Sequence, residues 1–145
     1  MAYVSANYRN NTAAPFGQWV CNRISPLGPY AAKPEAKLQH GPVNFCGQCV
    51  SFVTQVCPSI PVSTAQWKKG VQVKGATLAA GTAIATFDAN GHYYGHAAIY
   101  ENQNASGINV VDQWVTGAGS PIHARLIRFG GHGLANDGNG FYVID

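Results

Sequence analysis

The sequence predicts an α+β fold, with helices in its first half packed on an antiparallel sheet of five to six strands in its second half. Two observations support this fold class. Apolar residues recur with helical spacing between Cys49 and Cys57, whereas short apolar stretches alternate with turn sequences from Gly81 onward. The chain has 145 residues, the usual size of one domain, so we expect residues 1–145 to form a single domain.

Three segments of the first half carry helical or turn signals. Residues 16–24 are compatible with a short helix or a turn. The apolar pattern of Cys49–Cys57 predicts a buried helix that Pro58 ends. Residues 63–69 predict a second short helix, with Ser63 or Thr64 as its cap and Gly70 as its stop. Between these elements, residues 25–42 hold four prolines and predict a loop that can line a groove.

The second half predicts consecutive strands joined by short turns, which is typical of an antiparallel sheet. Turn sequences occupy residues 88–91 and 102–107. The predicted strands are residues 81–88, 95–101, 108–114, 124–129 and 141–145.

Charge and hydropathy exclude several classes of partner. The net charge is +3, and the nine Lys and Arg residues are scattered, so we expect no nucleic-acid site. No apolar run approaches the roughly 20 residues that a membrane span needs. Residues 1–9 lack the basic and apolar regions of a signal peptide. We therefore expect a chain made in the cytoplasm, which would need another export route to act outside the cell.

Cys49, His96 and Asp112 are the candidate catalytic residues. A thiol is nucleophilic as a thiolate, and a helix N-terminus and a nearby imidazolium both lower its pKa. Cys49 lies at the predicted helix start, and His96 opens a predicted strand among small residues. Asp112 lies on the next strand, where a centred hairpin brings it near His96 to orient the ring. Gln113 points to the other face of that strand and is the weaker choice.

The residues around this site resemble those of known cysteine hydrolases. The run Phe45-Cys-Gly-Gln-Cys-Val-Ser-Phe resembles the papain-type signature, which ends in the nucleophile. Gly47-Gln-Cys49 together with Gly95-His-Ala-Ala-Ile-Tyr resembles the CHAP amidase pattern. The order of Cys, His and a polar residue, with a helix before a sheet, is similar to NlpC/P60 hydrolases. The resemblance covers residues 43–115 and implies a papain-like fold that cleaves peptidoglycan peptides without a cofactor or metal.

The sequence departs from these families near the oxyanion site. Papain-type enzymes bind the oxyanion with a Gln six residues before the nucleophile, where this chain has Val43. The backbone N–H of Cys49 and a second donor would then serve, for which Gln48 is a candidate. Gln113 and Trp114 are further candidates for oxyanion or substrate contacts. NlpC/P60 enzymes often have a histidine as the third residue, where this chain offers Asp112.

The chain is most similar, within this superfamily, to the type VI secretion amidase effectors, and we expect their third family. The small size, the missing signal peptide and the Gly-rich second half carry this resemblance. It implies injection into the periplasm of a rival bacterium and cleavage at the diaminopimelate–D-alanine cross-link. It also implies a cognate immunity protein that covers the active site.

The four cysteines leave alternatives open. In the papain-type run the first cysteine is often in a disulfide, so Cys46 could pair with Cys57 or with Cys21; three buried thiols are the alternative. Cys46-Gly-Gln-Cys49 also fits a thiol–disulfide oxidoreductase, although no βαβ pattern surrounds it. A zinc module and a non-catalytic wall-binding module are the other two alternatives.

Overall fold

A six-stranded antiparallel sheet forms the centre of the protein. The computed structural model describes residues 1–35 and 46–145. The strand order is β3-β8-β4-β5-β6-β7. The strands are β3 (Lys69–Gln72), β4 (Ala83–Phe87), β5 (Tyr93–Gln103), β6 (Gly107–Trp114), β7 (Ser120–Arg128) and β8 (Phe141–Ile144). The predicted antiparallel sheet is thereby confirmed, and β3 is a strand that the sequence pattern did not indicate.

One α-helix, α1 (Cys49–Val56), packs against the middle of this sheet within the part of the chain that the structure describes. Phe52, Val53 and Val56 of α1 share a buried core with Ala97 of β5 and Val111 of β6. The helix begins at Cys49 and is capped at Cys57, just before Pro58, as its apolar spacing predicted. The expectation of several helices on the sheet was wrong for the described residues, and the protein is mostly sheet.

Residues 16–24 do not form a helix; turns occur at residues 16–17 and 23–24, as the alternative expectation had it. They contain strand β1 (Trp19–Val20), which pairs with β2 (Tyr30–Ala31) as a small second sheet. The N–H of Val20 is bonded to the side chain of Gln113, and its carbonyl accepts the N–H of Gly47. These partners are distant in sequence, so local spacing could not reveal the extended conformation. Residues 36–42 of the predicted loop, and Val43, lie outside the described residues.

The second predicted helix is also wrong. Only a 3₁₀ turn, Thr64–Gln66, occurs there, and the side chain of Ser63 does not cap it. Lys69 and Gly70 belong to β3, which pairs with β8 at the edge of the sheet. The backbone partners offered by β8 therefore override the local helix signals of this segment.

The hairpin of β5 and β6 brings the predicted site residues to one end of the sheet. Ile99 pairs with Val111 and Tyr100 with Val110, and a register shift follows before Asn102. If the pairing of Ile99 with Val111 is extended toward the start of β5 and the end of β6, His96 and Asp112 become diagonal neighbours on the two strands. Long side chains can bridge such a pair.

The side chain of Gln113 links the start of α1 to β1 by hydrogen bonds. Its side-chain amide accepts the N–H of Val20 at 2.8 Å and donates to the carbonyls of Val20 at 2.8 Å and Gln48 at 2.9 Å. Gly47, just before the helix, has a φ of +100°, and a Cβ there would lie 2.6 Å from Val115. The position of Cys49 thus depends on contacts with the sheet and with β1.

No helix among the described residues combines the length and the apolar character needed to cross a membrane.

Replacing Gln113 by Met tests how strongly this connection holds the helix start. The change keeps a similar volume, but it leaves the buried N–H of Val20 without its acceptor. We expect the free energy of unfolding to fall by about 2 kcal/mol in urea denaturation. Gln66→Met, at an exposed position, is the control; an equal loss in both variants would contradict the assignment.

Candidate active site

Cys49 lines a cleft of about 710 Å³. Its side chain is 8% exposed, and it occupies the first position of α1. The hydroxyl of Tyr93 lies 3.4 Å from its Sγ. The remaining described walls carry neutral polar and apolar side chains, and Gln48 is among them. A substrate that enters this cleft therefore meets the thiol of Cys49.

His96 and Asp112 form a buried hydrogen-bonded pair. The Nε2 of His96 lies 2.7 Å from Oδ2 of Asp112, and their side chains are 5% and 0% exposed. Because a carboxylate only accepts, Nε2–H is the donor. The other ring nitrogen, Nδ1, remains for the hydrogen bond between His96 and Cys49. The structure thus brings together the three residues that the sequence singled out.

The electrostatics of this group favour a charged pair of Cys49 and His96. Burial raises the pKa of Cys49, but the hydrogen bond and charge of His96, the hydroxyl of Tyr93 and the N–H of Ala97 outweigh it, so the pKa is lowered. Burial lowers the pKa of His96, whereas its hydrogen bonds to Asp112 and Cys49 and their charges raise it to about 9. A thiolate beside an imidazolium is the state in which a cysteine attacks a carbonyl.

Arg125 completes the group and was missed by sequence reasoning. Its Nη2 lies 2.8 Å from Oδ2 of Asp112, and its Nε donates to both carboxylate oxygens at 3.1 and 2.9 Å. Burial raises the pKa of Asp112, but the hydrogen bonds from His96 and Arg125 and their charges lower it overall. Only the pairing of β6 with β7 reveals this contact, because Arg125 otherwise looks like a surface residue of a strand.

Trp114 forms a wall beside the pair. Its ring meets His96 edge-on, with centroids 6.4 Å apart, and lies 5.3 Å from the ring of His123. The guanidinium carbon of Arg125 lies 4.8 Å from the centroid of Trp114. The ring thus packs against both partners of Asp112, an arrangement suited to limiting the access of water.

Gln48 and Gln113 differ in what their side chains can still do. Gln48 precedes α1, makes no side-chain cap, and lines the cleft. Gln113 is completely buried, and its amide is engaged with Val20 and Gln48. A substrate oxyanion would therefore have to displace existing hydrogen bonds to reach the amide of Gln113.

The four cysteines adopt one of the arrangements that the sequence left open. Cys21 and Cys46 form a disulfide, while Cys49 and Cys57 are free. Burial raises the pKa of Cys57 to about 12, which makes it unreactive. Because Cys46 is bonded to Cys21, the disulfide is not the Cys46–Cys49 pair of the oxidoreductase alternative.

The zinc module would need a cluster of metal ligands. Among residues 1–35 and 46–145, no three His, Cys, Asp or Glu side chains come together as ligands for a metal.

Replacing Arg125 by Gln tests its contribution to the buried carboxylate. The change removes the bidentate cation and leaves the carboxylate of Asp112 with His96 and the more distant ring of His123, whose Nδ1 lies 4.0 Å from Oδ1. We therefore expect a loss of about 3 kcal/mol in the free energy of unfolding. Arg128→Gln changes an exposed arginine of the same strand and should cost far less. Comparable losses in the two variants, measured by urea denaturation, would disprove this role.

Comparison with known proteins places the chain in a family. The protein-family model described as domesticated amidase effector 2 matches residues 29–144 of the chain. Domesticated amidase effector 2 of Ixodes scapularis is 39% identical over 103 residues, covering 68% of this chain and 70% of that protein. The solved structure of type 6 secretion amidase effector 2 (Tae2) is 28% identical, with a TM-score of 0.57, covering 68% of this chain and 80% of that chain.

The expected resemblance to the amidase effectors is confirmed, but the expected third family was wrong, because each of these matches names the second. The sequence motifs around Cys49 and His96 are too short to separate numbered families. The chain belongs to the domesticated amidase effector 2 family.

Proposed function

We propose that this protein is a cysteine hydrolase that cleaves an amide bond in the peptide part of bacterial peptidoglycan. The observation that carries the proposal is the contact of Cys49, in an open cleft, with the buried pair of His96 and Asp112. Nucleophile, base and orienting acid are the three roles that acyl transfer requires. Membership of an amidase effector family supports the choice of amide bonds.

The reaction follows from this geometry. The thiolate of Cys49 attacks the carbonyl carbon of the amide, and a C–S bond forms as the carbonyl electrons move to oxygen. The imidazolium of His96 then protonates the leaving amine as the C–N bond breaks. Water, deprotonated by His96, attacks the thioester carbonyl; the C–S bond breaks, the acyl group leaves as a carboxylic acid, and the pair of Cys49 thiolate and His96 imidazolium is restored. Asp112 holds the ring and stabilises its positive charge throughout.

The start of α1 is suited to stabilise the intermediate oxyanion. The first N–H groups of a helix have no partner within the helix, and the helix dipole is positive there. The N–H of Cys49 is one such group, and the side chain of Gln48 lines the same cleft. This arrangement compensates for the absence of Gln at position 43.

The cellular setting is part of the proposal. Residues 1–145 would act as one papain-like catalytic domain of the NlpC/P60 and CHAP kind. Similarity to type 6 secretion amidase effector 2 supports an antibacterial effector that acts in the periplasm of a target cell. Such a toxin requires a cognate immunity protein, which would cover the cleft of Cys49. The bond cut is a stem-peptide amide or the diaminopimelate–D-alanine cross-link, since both are amides of the accessible peptide.

Digestion of purified peptidoglycan tests the activity. We expect the wild-type protein to change the muropeptide masses, and the fragments to identify the bond. Cys49→Ala should lower the rate roughly 10⁴-fold or more because it removes the cleft side chain that is hydrogen-bonded to His96. Cys57→Ala is the matched control and should retain activity. Intact muropeptides with the wild-type protein would refute peptidoglycan as the substrate.

The pH dependence of kcat/KM tests the charged pair. Activity should rise as Cys49 ionises, below the ordinary thiol pKa of about 8.5, and should fall as the pH passes about 9, where His96 loses its proton. Asp112→Asn removes a carboxylate that raises the pKa of His96, so the alkaline limb should move to lower pH. Asp88→Asn, at a half-buried position in the turn between β4 and β5, should leave both limbs in place. An alkaline limb that stays in place in Asp112→Asn would contradict the role of Asp112.

A further inference from the structure

Tyr93 lies beside the reacting sulfur but has no place in the triad. Its hydroxyl is 3.4 Å from Sγ of Cys49 and donates to the carbonyl of Gly95 at 3.3 Å. The residue begins β5 and lines the same cleft as Cys49. Its hydroxyl thus contacts Sγ from a residue that lines the proposed substrate cleft.

The ring of Tyr93 is held in place by its surroundings. The ring of Trp67 meets it edge-on, with centroids 5.1 Å apart. Trp67 is itself 3% exposed and donates its indole N–H to the carbonyl of Pro61 at 2.9 Å. A hydroxyl on a fixed ring is a preorganised donor, which loses little freedom when charge develops near it.

The hydroxyl has one proton and two neighbours, so its direction depends on the state of Cys49. Beside the neutral thiol, the hydroxyl donates to Gly95 and can accept the S–H of Cys49. The thiolate only accepts hydrogen bonds, and a hydrogen bond to this charged sulfur is stronger than one to the neutral carbonyl. Beside the thiolate, the hydroxyl therefore turns its proton to the sulfur. Rotation about one C–O bond suffices, and no covalent bond changes.

We propose that Tyr93 is a further catalytic residue, whose hydroxyl donates a hydrogen bond to the Cys49 thiolate and then to the oxyanion formed from the substrate carbonyl. The proposal rests on Cys49 as the nucleophile of the proposed function. During attack the negative charge moves from the sulfur to the carbonyl oxygen of the substrate. In the tetrahedral intermediate both atoms are bonded to the same carbon, so a donor placed at Sγ can also reach this oxygen.

The hydroxyl remains protonated in every step. Burial and the nearby charge and hydrogen bond of Cys49 raise the pKa of Tyr93 far above its ordinary value. Tyr93 therefore supplies a hydrogen bond without giving up its proton, and His96 remains the group that exchanges protons. The Tyr93 hydroxyl is then the second donor to the oxyanion, beside the backbone N–H of Cys49.

The substitution Tyr93→Phe removes the hydroxyl and keeps the ring that packs on Trp67. Tyr94→Phe is the matched control, because Tyr94 is the adjacent residue and is 61% exposed. Two readouts are taken on the full chain, and neither uses peptidoglycan. The first is the pH dependence of Cys49 alkylation by iodoacetamide. The second is the rate of acylation by p-nitrophenyl acetate, whose attack also produces an oxyanion.

We expect the pKa of Cys49 in Tyr93→Phe to rise by about one unit and the acylation rate above that pKa to fall roughly 100-fold. Tyr94→Phe should match the wild type in both. A Cys49 pKa or an acylation rate in Tyr93→Phe equal to that of Tyr94→Phe would overturn the proposal. Both readouts need only a reactive thiol. Failure to digest peptidoglycan would therefore refute the proposed function, while the role of Tyr93 could still be tested. Circular dichroism of each variant confirms that the fold is retained.

Discussion

The carboxylate of Asp112 is completely buried, and the arrangement of the site depends on how its charge is balanced. An isolated charge in a protein interior costs several kcal/mol, so Asp112 needs charged or hydrogen-bonding partners. Arg125 supplies a bidentate cation from β7, and His96 supplies a ring N–H from β5. The same carboxylate that the fold must neutralise is therefore the group that orients the imidazole toward Cys49.

This balance links three neighbouring strands to the thiol of Cys49. Asp112 on the central strand β6 lies between His96 and Arg125 on the strands to either side, and the charge of His96 stabilises the thiolate at the helix start. Arg125 also packs on Trp114, which in turn meets the ring of His96. Such a closed set of contacts fixes the direction of the ring, because a change in one member disturbs its neighbours.

Alternation along β6 gives two adjacent polar residues different tasks. Gln113 faces the helix side and joins Val20 to the carbonyl of Gln48, while Asp112 faces away and receives His96 and Arg125. Strand β6 thus orients the ring of His96 through Asp112 and, through Gln113, holds the segment that leads to Cys49. The disulfide of Cys21 and Cys46 adds a covalent tie to that same segment, three residues before Cys49.

Local sequence determined the elements whose own residues carry a strong periodic pattern. The helix from Cys49, its end before Pro58, and the strands around His96 and Asp112 follow from apolar spacing and turn residues. The hairpin that joins these strands also predicts that His96 and Asp112 lie close together, whereas the contact of His96 with Cys49 depends on how the helix packs on the sheet. Tertiary structure decided the rest. The strand at Val20 exists because Gln113 and Gly47 bond its backbone, and the strand at Lys69 exists because β8 pairs with it. The contacts of Arg125 and Tyr93 with the site depend on strand register and on ring orientation, which arise from pairing between distant segments and leave no periodic signal in the sequence.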